Sequence, residues 1–275
     1  MLCHFKITVH MSILFYNISI LCLTEMRLLP SIYRRRPIQT VTLSLFRFDS
    51  TYHKCWAFVM MGLARPMLKR IHGLTFWKLL GSGTGQGFTP IPNWGVYGIL
   101  GVWASQEDAE RGTAKLRPFT AYRTRAAESA TLFLRVSSAR GKWSGALPFN
   151  MPPTTPSQNS GPVAILTRAT VKWQKIPQFW RHSPEISTRI GNNTDVMFKI
   201  GLGEVPLRQQ LTFSVWPDIV RMAEFAHQNG PHHRAIQQVR KGNWFKEELY
   251  ARFNIISIDG HWSDFDATQL SELPS

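Results

Sequence analysis

The residues best suited to chemistry lie in one segment, Phe225-Ala226-His227-Gln228-Asn229-Gly230-Pro231-His232-His233. Gly230-Pro231 ends one predicted helix and starts the next, which places His232 and His233 in a first helical turn. There the helix dipole lowers the imidazole pKa and favours the neutral form that can bind a metal. Because no His, Asp or Glu set has zinc or non-heme iron spacing, one axial histidine to a heme is the simplest metal site. A pair of surface histidines near a helix start is the alternative.

Three other motifs could carry chemistry and are weaker. Cys55 could offer a thiolate, but it lies beside Trp56 in an apolar helix, where we expect a buried, unreactive thiol. The glycine run from Gly81 to Gly87 lacks the GxGxxG spacing and the Lys-Ser/Thr of a P-loop, so it predicts a flexible hairpin connection. No GxSxG occurs in the chain, which removes the nucleophile elbow of a serine hydrolase.

These residues belong to a chain that repeats itself. An apolar run near Val41 leads to Phe76-Trp77-Lys78, Val102-Trp103 and Gly141-Lys142-Trp143-Ser144. A second run near Val163 leads to the matching landmarks Phe198-Lys199, Val215-Trp216 and Gly260-His261-Trp262-Ser263. A period of about 120 residues indicates a duplicated domain rather than a solenoid, whose repeats run at roughly 20 to 50 residues. Duplicated domains tend to place a ligand between the copies.

Each repeat has the predicted order β-α-β-β-α-β. Alternation of apolar and polar residues predicts the strands, and apolar residues at a helical spacing predict the helices. In the first repeat we predict strands over 41–48, 74–80, 96–103 and 131–137, and helices over 56–71, 107–116 and 119–128. Pro66 is expected to kink or divide the first helix. In the second repeat we predict strands over 163–171, 196–200, 210–216 and 251–258, helices over 176–190, 218–227 and 231–241, and a helical turn over 245–249.

This order is typical of a ferredoxin-like α+β unit, an antiparallel sheet with helices on one face. The tandem copy supplies a partner for the free face, so we predict a single-chain pseudo-dimeric α-β barrel. The domains are an N-terminal extension over 1–38, poorly ordered, repeats over 39–146 and 163–264, a Pro-rich linker over 147–162, and a tail over 265–275. The apolar stretch Met11–Leu23 is shorter than the about 20 residues of a spanning helix, and a membrane-surface anchor is the alternative to an unfolded extension.

The composition favours an anionic partner. The formal net charge is +15 and only 18% of residues are charged, which suits an acidic protein or an anionic membrane. Nucleic-acid binding is not expected, because no recognised reader motif accompanies the charge. With only Cys55 among the three cysteines inside the repeats, no disulfide framework is expected, which fits a reducing cytoplasm.

Six blocks of the sequence together form a longer pattern: Val41-Thr42-Leu43-Ser44-Leu45-Phe46-Arg47-Phe48, Gly73-Leu74-Thr75-Phe76-Trp77-Lys78, Gly83-Thr84-Gly85-Gln86-Gly87-Phe88-Thr89-Pro90, Phe198-Lys199-Ile200-Gly201-Leu202-Gly203-Glu204-Val205-Pro206, Thr212-Phe213-Ser214-Val215-Trp216-Pro217-Asp218 and Trp244-Phe245-Lys246-Glu247-Glu248-Leu249-Tyr250-Ala251-Arg252-Phe253. Through these blocks, over about 220 residues, the chain resembles the spheroidene monooxygenases of acyclic carotenoid biosynthesis. Cys55 and the first 38 residues match no family position.

The resemblance implies a heme-dependent oxygenase that uses O2 and a reduced ferredoxin to introduce a keto group at C-2 of acyclic carotenoids. It implies His232 as axial ligand, because the family has a histidine four residues before the isoleucine that is Ile236 here; His233 could compete. Lys199 or Arg252, or else Arg47 or Lys78, could pair with heme propionates, although a strand-end surface charge is the favoured interpretation of each.

The implied substrate dissolves in membranes, so we expect a cytoplasmic protein in peripheral contact with the photosynthetic inner membrane. The rival hypothesis is a non-catalytic protein of the same fold that binds heme or an apolar ligand. Because nothing like Gly230-Pro231-His232 occurs near Arg117-Pro118-Phe119 in the first repeat, the second repeat should hold the iron.

Overall fold

Eight antiparallel strands form a closed barrel in a computed structural model that describes residues 38–85, 89–150, 161–181, 195–227 and 242–265. The strands are β1 (Thr40–Arg47), β2 (Leu74–Gly83), β3 (Pro92–Trp103), β4 (Glu128–Gly141), β5 (Val163–Val171), β6 (Phe198–Gly203), β7 (Gln209–Trp216) and β8 (Phe245–His261). The helices with described bounds are α1 (Thr51–Lys69), α2 (Gln106–Lys115), α3 (Phe119–Arg123) and α4 (Ile219–His227). Residues 173–175 form a 3-10 turn that continues into a helical stretch over 176–181.

The strand order around the barrel is β1-β3-β2-β6-β7-β5-β8-β4. The first four strands therefore lie side by side as β4-β1-β3-β2, and the last four repeat this arrangement as β8-β5-β7-β6. This confirms the predicted tandem ferredoxin-like units joined in one pseudo-dimeric barrel.

The two seams that join the halves differ in length. Strands β4 and β8 pair over twelve positions, from Ser129 opposite His261 to Gly141 opposite Leu249. Within the described residues, β2 and β6 pair at two positions only, Gly81 with Gly203 and Ser82 with Leu202. The first seam holds the halves together, and the second leaves most of one edge of β6 without a strand beside it.

Alternation places every second strand residue inside the barrel. The interior is apolar and buried, and it includes Val41, Leu43, Leu45, Leu100, Leu132, Leu166, Phe213 and Phe253. On the outside of the first half, α1, α2 and α3 cover a second apolar layer that includes Phe46, Ile99, Trp103, Phe119 and Tyr122. On the outside of the second half, α4 packs on Trp216 through Met222 and Phe225.

Two glycines explain one of the repeated landmarks. Gly141 and Gly260 have φ values of 102° and 91°. A Cβ at Gly141 would lie 2.2 Å from the Glu248 carbonyl oxygen, and one at Gly260 would lie 2.3 Å from that of Ser129. Each position therefore requires glycine, where β4 and β8 run closely past each other.

Several predicted element boundaries are wrong. Helix α1 runs unbroken through Pro66, because Pro66 lies in its last turn, where one lost backbone donor leaves the rest of the helix intact. Helix α3 ends at Arg123 and Glu128 already begins β4. The predicted helical turn over 245–249 is the start of β8, where burial alternates as in a strand. Gly81, Ser82 and Gly83 belong to β2 and not to the hairpin connection.

In the described part of the chain, no helix is both long enough and apolar enough to cross a membrane. The predicted N-terminal extension, most of the Pro-rich linker, the helix over 231–241 and the C-terminal tail lie outside the described residues.

Candidate functional site

A row of four residues crosses the outer face of the second half. Lys199 on β6 pairs with Ser214 on β7, Ser214 pairs with Ile165 on β5, and Ile165 pairs with Arg252 on β8. Their chain neighbours Phe198, Phe213, Ala164 and Phe253 fill the interior, so this row, named the outer row here, faces the helix side of the sheet.

The outer row places a cation at each end of a short buried strip. Ile165 and Ser214 are each 7% exposed, and the Ser214 hydroxyl accepts a hydrogen bond of 2.9 Å from Trp216 Nε1. Arg252 Nε donates to Ser137 Oγ at 3.1 Å. Burial lowers the pKa of Lys199, which reflects partial loss of water around the ammonium group. Three strand spacings separate the Lys199 and Arg252 backbones by roughly 14 Å.

A cleft with a volume of about 550 Å³ lies at the short seam between β2 and β6. It is named the seam cleft here. Three cations line it, Arg47, Lys54 and Lys199, together with Phe48, Val96, Met197, Phe198, Ile200 and Trp262 among others. Lys199 thus belongs to both the cleft and the outer row. The duplication predicts a site between the copies, and the cleft has that position and the size of a small-molecule site, roughly 300 to 1,000 Å³.

A second, apolar pocket of about 240 Å³ lies on the outside of the same seam. Its walls come from α1, from the start of β3 and from the turn after β6, and include Phe58, Met61, Trp94, Trp180 and Leu207. Ser82 and Asn93 line both this apolar pocket and the seam cleft. The apolar pocket and the seam cleft therefore adjoin each other at Ser82 and Asn93.

An ion-pair cluster closes the end of the barrel at which the C-terminal end of β5 lies. It is named the Trp143 cap. Arg168 is 1% exposed and pairs with Glu247 and, at 3.7 Å, with Glu204. Lys78 Nζ lies 2.6 Å from the same Glu204, and Trp143 Nε1 also donates to it. Burial by itself would raise the pKa of Glu247, but backbone N–H groups of Gly145 and Ser144, together with Arg168, lower it overall.

The opposite end carries a looser version of this arrangement, named the Trp262 cap. Arg47 lies 4.7 Å from the ring centre of Trp262. It pairs with Asp264 at 2.6 Å and with Glu128 at 3.5 Å, and its side chain is 29% exposed. In each cap, an arginine from the first strand of one half covers a tryptophan from the other half.

The structure tests the predicted site residues unevenly. His232 and His233 lie outside the described residues, and His227 is the last residue of α4. Lys199 and Arg252 lie at opposite ends of the outer row, roughly 14 Å apart across the sheet. Arg47 and Lys78 are paired with carboxylates inside the caps. Cys55 is exposed, so the expected buried thiol is wrong; it lies on the side of α1 that faces away from the sheet.

Strand register also corrects the match between Lys78 and Lys199. Lys199 pairs with Ser214, and the corresponding pair in the first half is Trp77 with Gly101. Trp77 is thus the counterpart of Lys199, and Lys78 points into the barrel. Across the described residues, no three His, Cys, Asp or Glu side chains meet to hold a metal ion, a grouping that a heme with one axial histidine does not need.

Sequence reasoning missed the caps. Arg168, Glu204 and Glu247 are far apart in the chain, and nothing in their local sequence predicts that they meet. The repeated Gly-Lys-Trp-Ser and Gly-His-Trp-Ser turns were a usable signal, because each places one cap tryptophan, Trp143 or Trp262, at the end of a long strand.

Comparison with known proteins gives clear relatives. No family model matches the chain. The chain is 49% identical over 230 residues to a spheroidene monooxygenase of Cereibacter sphaeroides, covering 83% of this chain and 70% of that protein. It is 44% identical over 225 residues to one of Rhodobacter capsulatus, covering 82% and 93%. A third, of Rubrivivax gelatinosus, is 32% identical over 190 residues, covering 69% and 72%.

Solved structures support the architecture. An aldoxime dehydratase crystallised with butyraldoxime superposes with a TM-score of 0.56 at 10% identity, covering 85% of this chain and 82% of the other. A further aldoxime dehydratase gives a TM-score of 0.53 at 9% identity, covering 83% and 88%. At such low identity, these likenesses concern the fold alone.

Proposed function

The chain belongs to the spheroidene monooxygenase family, and from this premise we propose that it introduces a keto group at C-2 of acyclic carotenoids of the spheroidene type. The reaction would use heme, O2 and electrons from a reduced ferredoxin. The single structural observation that supports the heme proposal is the outer row, with Lys199 and Arg252 on either side of Ser214 and Ile165.

The residues present fit a heme. A heme is a flat, largely apolar group with two carboxylates. The outer row offers two cations for the carboxylates, and beside the strip that Trp216 covers, Thr167 and Tyr250 leave part of the same face exposed. Among the described residues, two on the outer face of the second half are more exposed than their counterparts in the first half: Thr167 is exposed and Tyr250 is 37% exposed. Their counterparts Ser44 and Thr131 are 0% and 4% exposed.

We assign the axial ligand to His232, with His233 as the competing position. Both belong to the second half, which also carries the outer row. Lys199 and Arg252 would hold the propionates, because an ammonium or guanidinium group pairs well with a carboxylate where water is partly excluded. Bound heme would supply the O2 and oxidation chemistry, as cofactors generally do.

The protein's own part is binding, orientation and exclusion of water. The carbon attacked is the methylene next to the conjugated chain, and two successive hydroxylations there give a geminal diol that loses water to a ketone. The apolar pocket between Phe58, Trp94 and Trp180 can hold a polyene end away from water. Ser82 and Asn93, which line both pockets, lie where that end would turn into the seam cleft.

The net charge of +15 supports the two proposed partners. A basic surface attracts an acidic ferredoxin and also an anionic lipid surface. We accordingly propose a cytoplasmic protein in peripheral contact with the inner membrane, where its substrate dissolves.

A reconstitution experiment tests the cofactor. Purified full-length protein is titrated with hemin and followed by visible absorption. We expect a Soret band, and His232→Ala should weaken heme binding at least about tenfold. Lys199→Met and Arg252→Met should each weaken it about twofold to fivefold, as expected for one partly exposed ion pair. His72→Ala, at an exposed position of the first half, is the matched control and should bind heme normally.

A pigment assay tests the reaction. Expression in a host that accumulates spheroidene, and lacks its own oxygenase, should convert the pigment to a ketone visible by absorption and mass. Absence of a Soret band after reconstitution contradicts the heme proposal. A Soret band with unaltered pigment favours a non-catalytic heme-binding protein, and an unchanged His232→Ala spectrum transfers the ligand to His233 or His227.

A further inference from the structure

The outward side of α1 is apolar although its inner side already packs against the sheet. The inner side is buried through Ala57, Met60, Ala64 and Leu68. The outward side exposes large apolar side chains by 38% to 74%: Tyr52, Phe58, Val59, Leu63 and Met67. A helix that is apolar on both sides usually has both sides covered. We therefore expect the outward side of α1 to contact a partner.

Neighbouring turns extend this apolar area. Trp94, at the start of β3, is 51% exposed and its ring lies 5.0 Å from that of Phe58. Across the apolar pocket, the turn after β6 exposes Val205 and Leu207, each by 42%. Together with Ile91 these residues form one area, named the α1 surface. Contiguous exposed apolar areas of this kind mark interaction sites in soluble proteins.

The charge of α1 has a single sign. Between Thr51 and Lys69 there is no Asp or Glu, and the cationic side chains include Arg65 and Lys69. Arg70 follows directly, and all three are exposed. Exposed apolar groups next to lysine and arginine are the composition of a helix that lies in the interface of an anionic membrane.

We propose that the α1 surface docks on an anionic phospholipid membrane. A second copy of the chain is a poorer occupant, because a symmetric contact would bring the same cations face to face. The apolar segment Met11–Leu23 is also poorer, because Arg27 and the run Arg34-Arg35-Arg36 follow it and carry the same sign of charge. Lipid phosphates supply the opposite charge and acyl chains accept the apolar side chains.

The docking inference rests on the proposed function in one respect, the identity of the substrate. Because Phe58 and Trp94 belong both to the α1 surface and to the walls of the apolar pocket, the pocket opens where the membrane would lie. A carotenoid end would then enter the apolar pocket directly from the bilayer.

Vesicle flotation of the full-length protein tests the docking, without heme or carotenoid. The vesicles contain phosphatidylcholine alone, or equal parts of phosphatidylcholine and phosphatidylglycerol. We expect binding to the anionic vesicles, and Val59→Glu with Leu63→Glu should reduce the partition coefficient at least about tenfold. Val220→Glu on α4 is the matched control, since Val220 is 60% exposed, and it should bind like the wild type.

A charge variant separates the two contributions. Lys69→Gln with Arg70→Gln should lower binding to anionic vesicles by about fivefold per charge removed. Added salt should reduce the difference, because the charges are exposed. Lys142→Gln, at another exposed lysine, is the control and should leave binding unchanged.

The outcomes decide between occupants. Equal binding of the Val59→Glu/Leu63→Glu variant and the wild type overturns the proposal, and so does equal binding to both vesicle types. A concentration-dependent dimer that this variant dissociates, seen by sedimentation velocity, assigns the surface to a second copy instead. If docking is right, the variant turns over carotenoid in detergent but loses turnover of carotenoid held in vesicles. If only the proposed function fails, neither protein turns over carotenoid while the flotation results stand.

Discussion

Trp77 and Lys199 occupy the same position in the two halves of the barrel, yet one is an aromatic residue under helices and the other a cation beside a cleft. The first-half row that corresponds to the outer row is Trp77, Gly101, Thr42 and Phe133. In this row the Trp103 indole covers the strands and donates from Nε1 to Thr42 Oγ1 at 2.9 Å. Helix α2 seals it, because Gly112 allows the Trp103 ring to lie directly against the helix.

The second half keeps the covering tryptophan and changes what surrounds it. Trp216 Nε1 donates to Ser214 as Trp103 donates to Thr42, but cations flank the strip and the adjacent Thr167 is exposed. A duplicated fold can place its stability in one copy and its ligand site in the other. In the first half, Trp103 and α2 cover this face. In the second half, Trp216 covers the corresponding strip and cations flank it.

The caps show a second difference between the halves. In the strand register, Arg47 lies opposite Val96 on β3, and Arg168 lies opposite Leu211 on β7. With Trp103 and Trp216 as matching landmarks, Arg168 lies two register positions deeper in the barrel than Arg47. The deeper arginine is almost fully buried and the shallower one is 29% exposed. The Trp143 cap should therefore matter more for stability.

The largest expected effect comes from Arg168→Leu. It leaves Glu204 and Glu247 in a buried cluster without their shared cation, which typically costs about 3 to 5 kcal/mol of unfolding free energy. The matched change Arg47→Leu removes a partly exposed pair and should cost about 0 to 1 kcal/mol. Urea denaturation of both variants measures the difference. Equal losses would show that the two caps are equivalent.

A smaller effect is expected from Gly112→Ala in α2. A Cβ there would lie 2.2 Å from the Trp103 ring, and such overpacking typically costs about 1 to 3 kcal/mol. Gly62→Ala in α1 is the control, since no atom lies within 4 Å of its Cβ, and it should stabilise by about 0.5 to 1 kcal/mol. Thermal or urea unfolding measures both. A tolerated Gly112→Ala would show that the Trp103 ring can move away from α2.

The smallest effect concerns pH. The pKa of Glu247 in the folded protein is lowered below its ordinary value of 4.5, so its contribution is fully present above that pH and is lost as pH falls through the lowered value. Glu247→Gln should cost about 1 to 2 kcal/mol at neutral pH. The difference in unfolding free energy between Glu247→Gln and the wild type should become smaller at acid pH. Urea unfolding at several pH values measures this difference. A gap that stays constant with pH would contradict the ion-pair role of Glu247.

Much of the fold could be predicted from the sequence, because local patterns carry it. Alternation over 41–48 predicted β1 to within one residue at each end, and alternation over 163–171 predicted both ends of β5 correctly. The repeated Trp103 and Trp216, and Gly141 and Gly260, marked equivalent ends of strands. The boundary that failed at Phe245 depends on pairing with β5, outside the local segment. Pro66 was misjudged for a local reason, because the sequence did not show that it lies in the last turn of α1.

The candidate site was less predictable. Lys199 and Arg252 were named as cations that could meet a cofactor, but so were Arg47 and Lys78, and only pairing across the barrel separates the two sets. Cys55 was expected to be buried because both sides of α1 are apolar, a pattern that does not reveal which side faces the sheet. Only the packed structure shows that Ala57 and Met60 face inward and Cys55 outward.

The sequence by itself determined the duplication, the alternation of the strands and the family, because each is carried by residues close together or by landmarks repeated at a fixed distance. The tertiary structure alone decided which described outer-face positions are buried and which cations meet carboxylates in the caps. Those choices depend on contacts between residues far apart in the chain, such as Arg168 with Glu247 and Trp103 with Gly112. Such contacts leave no local pattern, since their energy comes from burial that exists only once the barrel has closed.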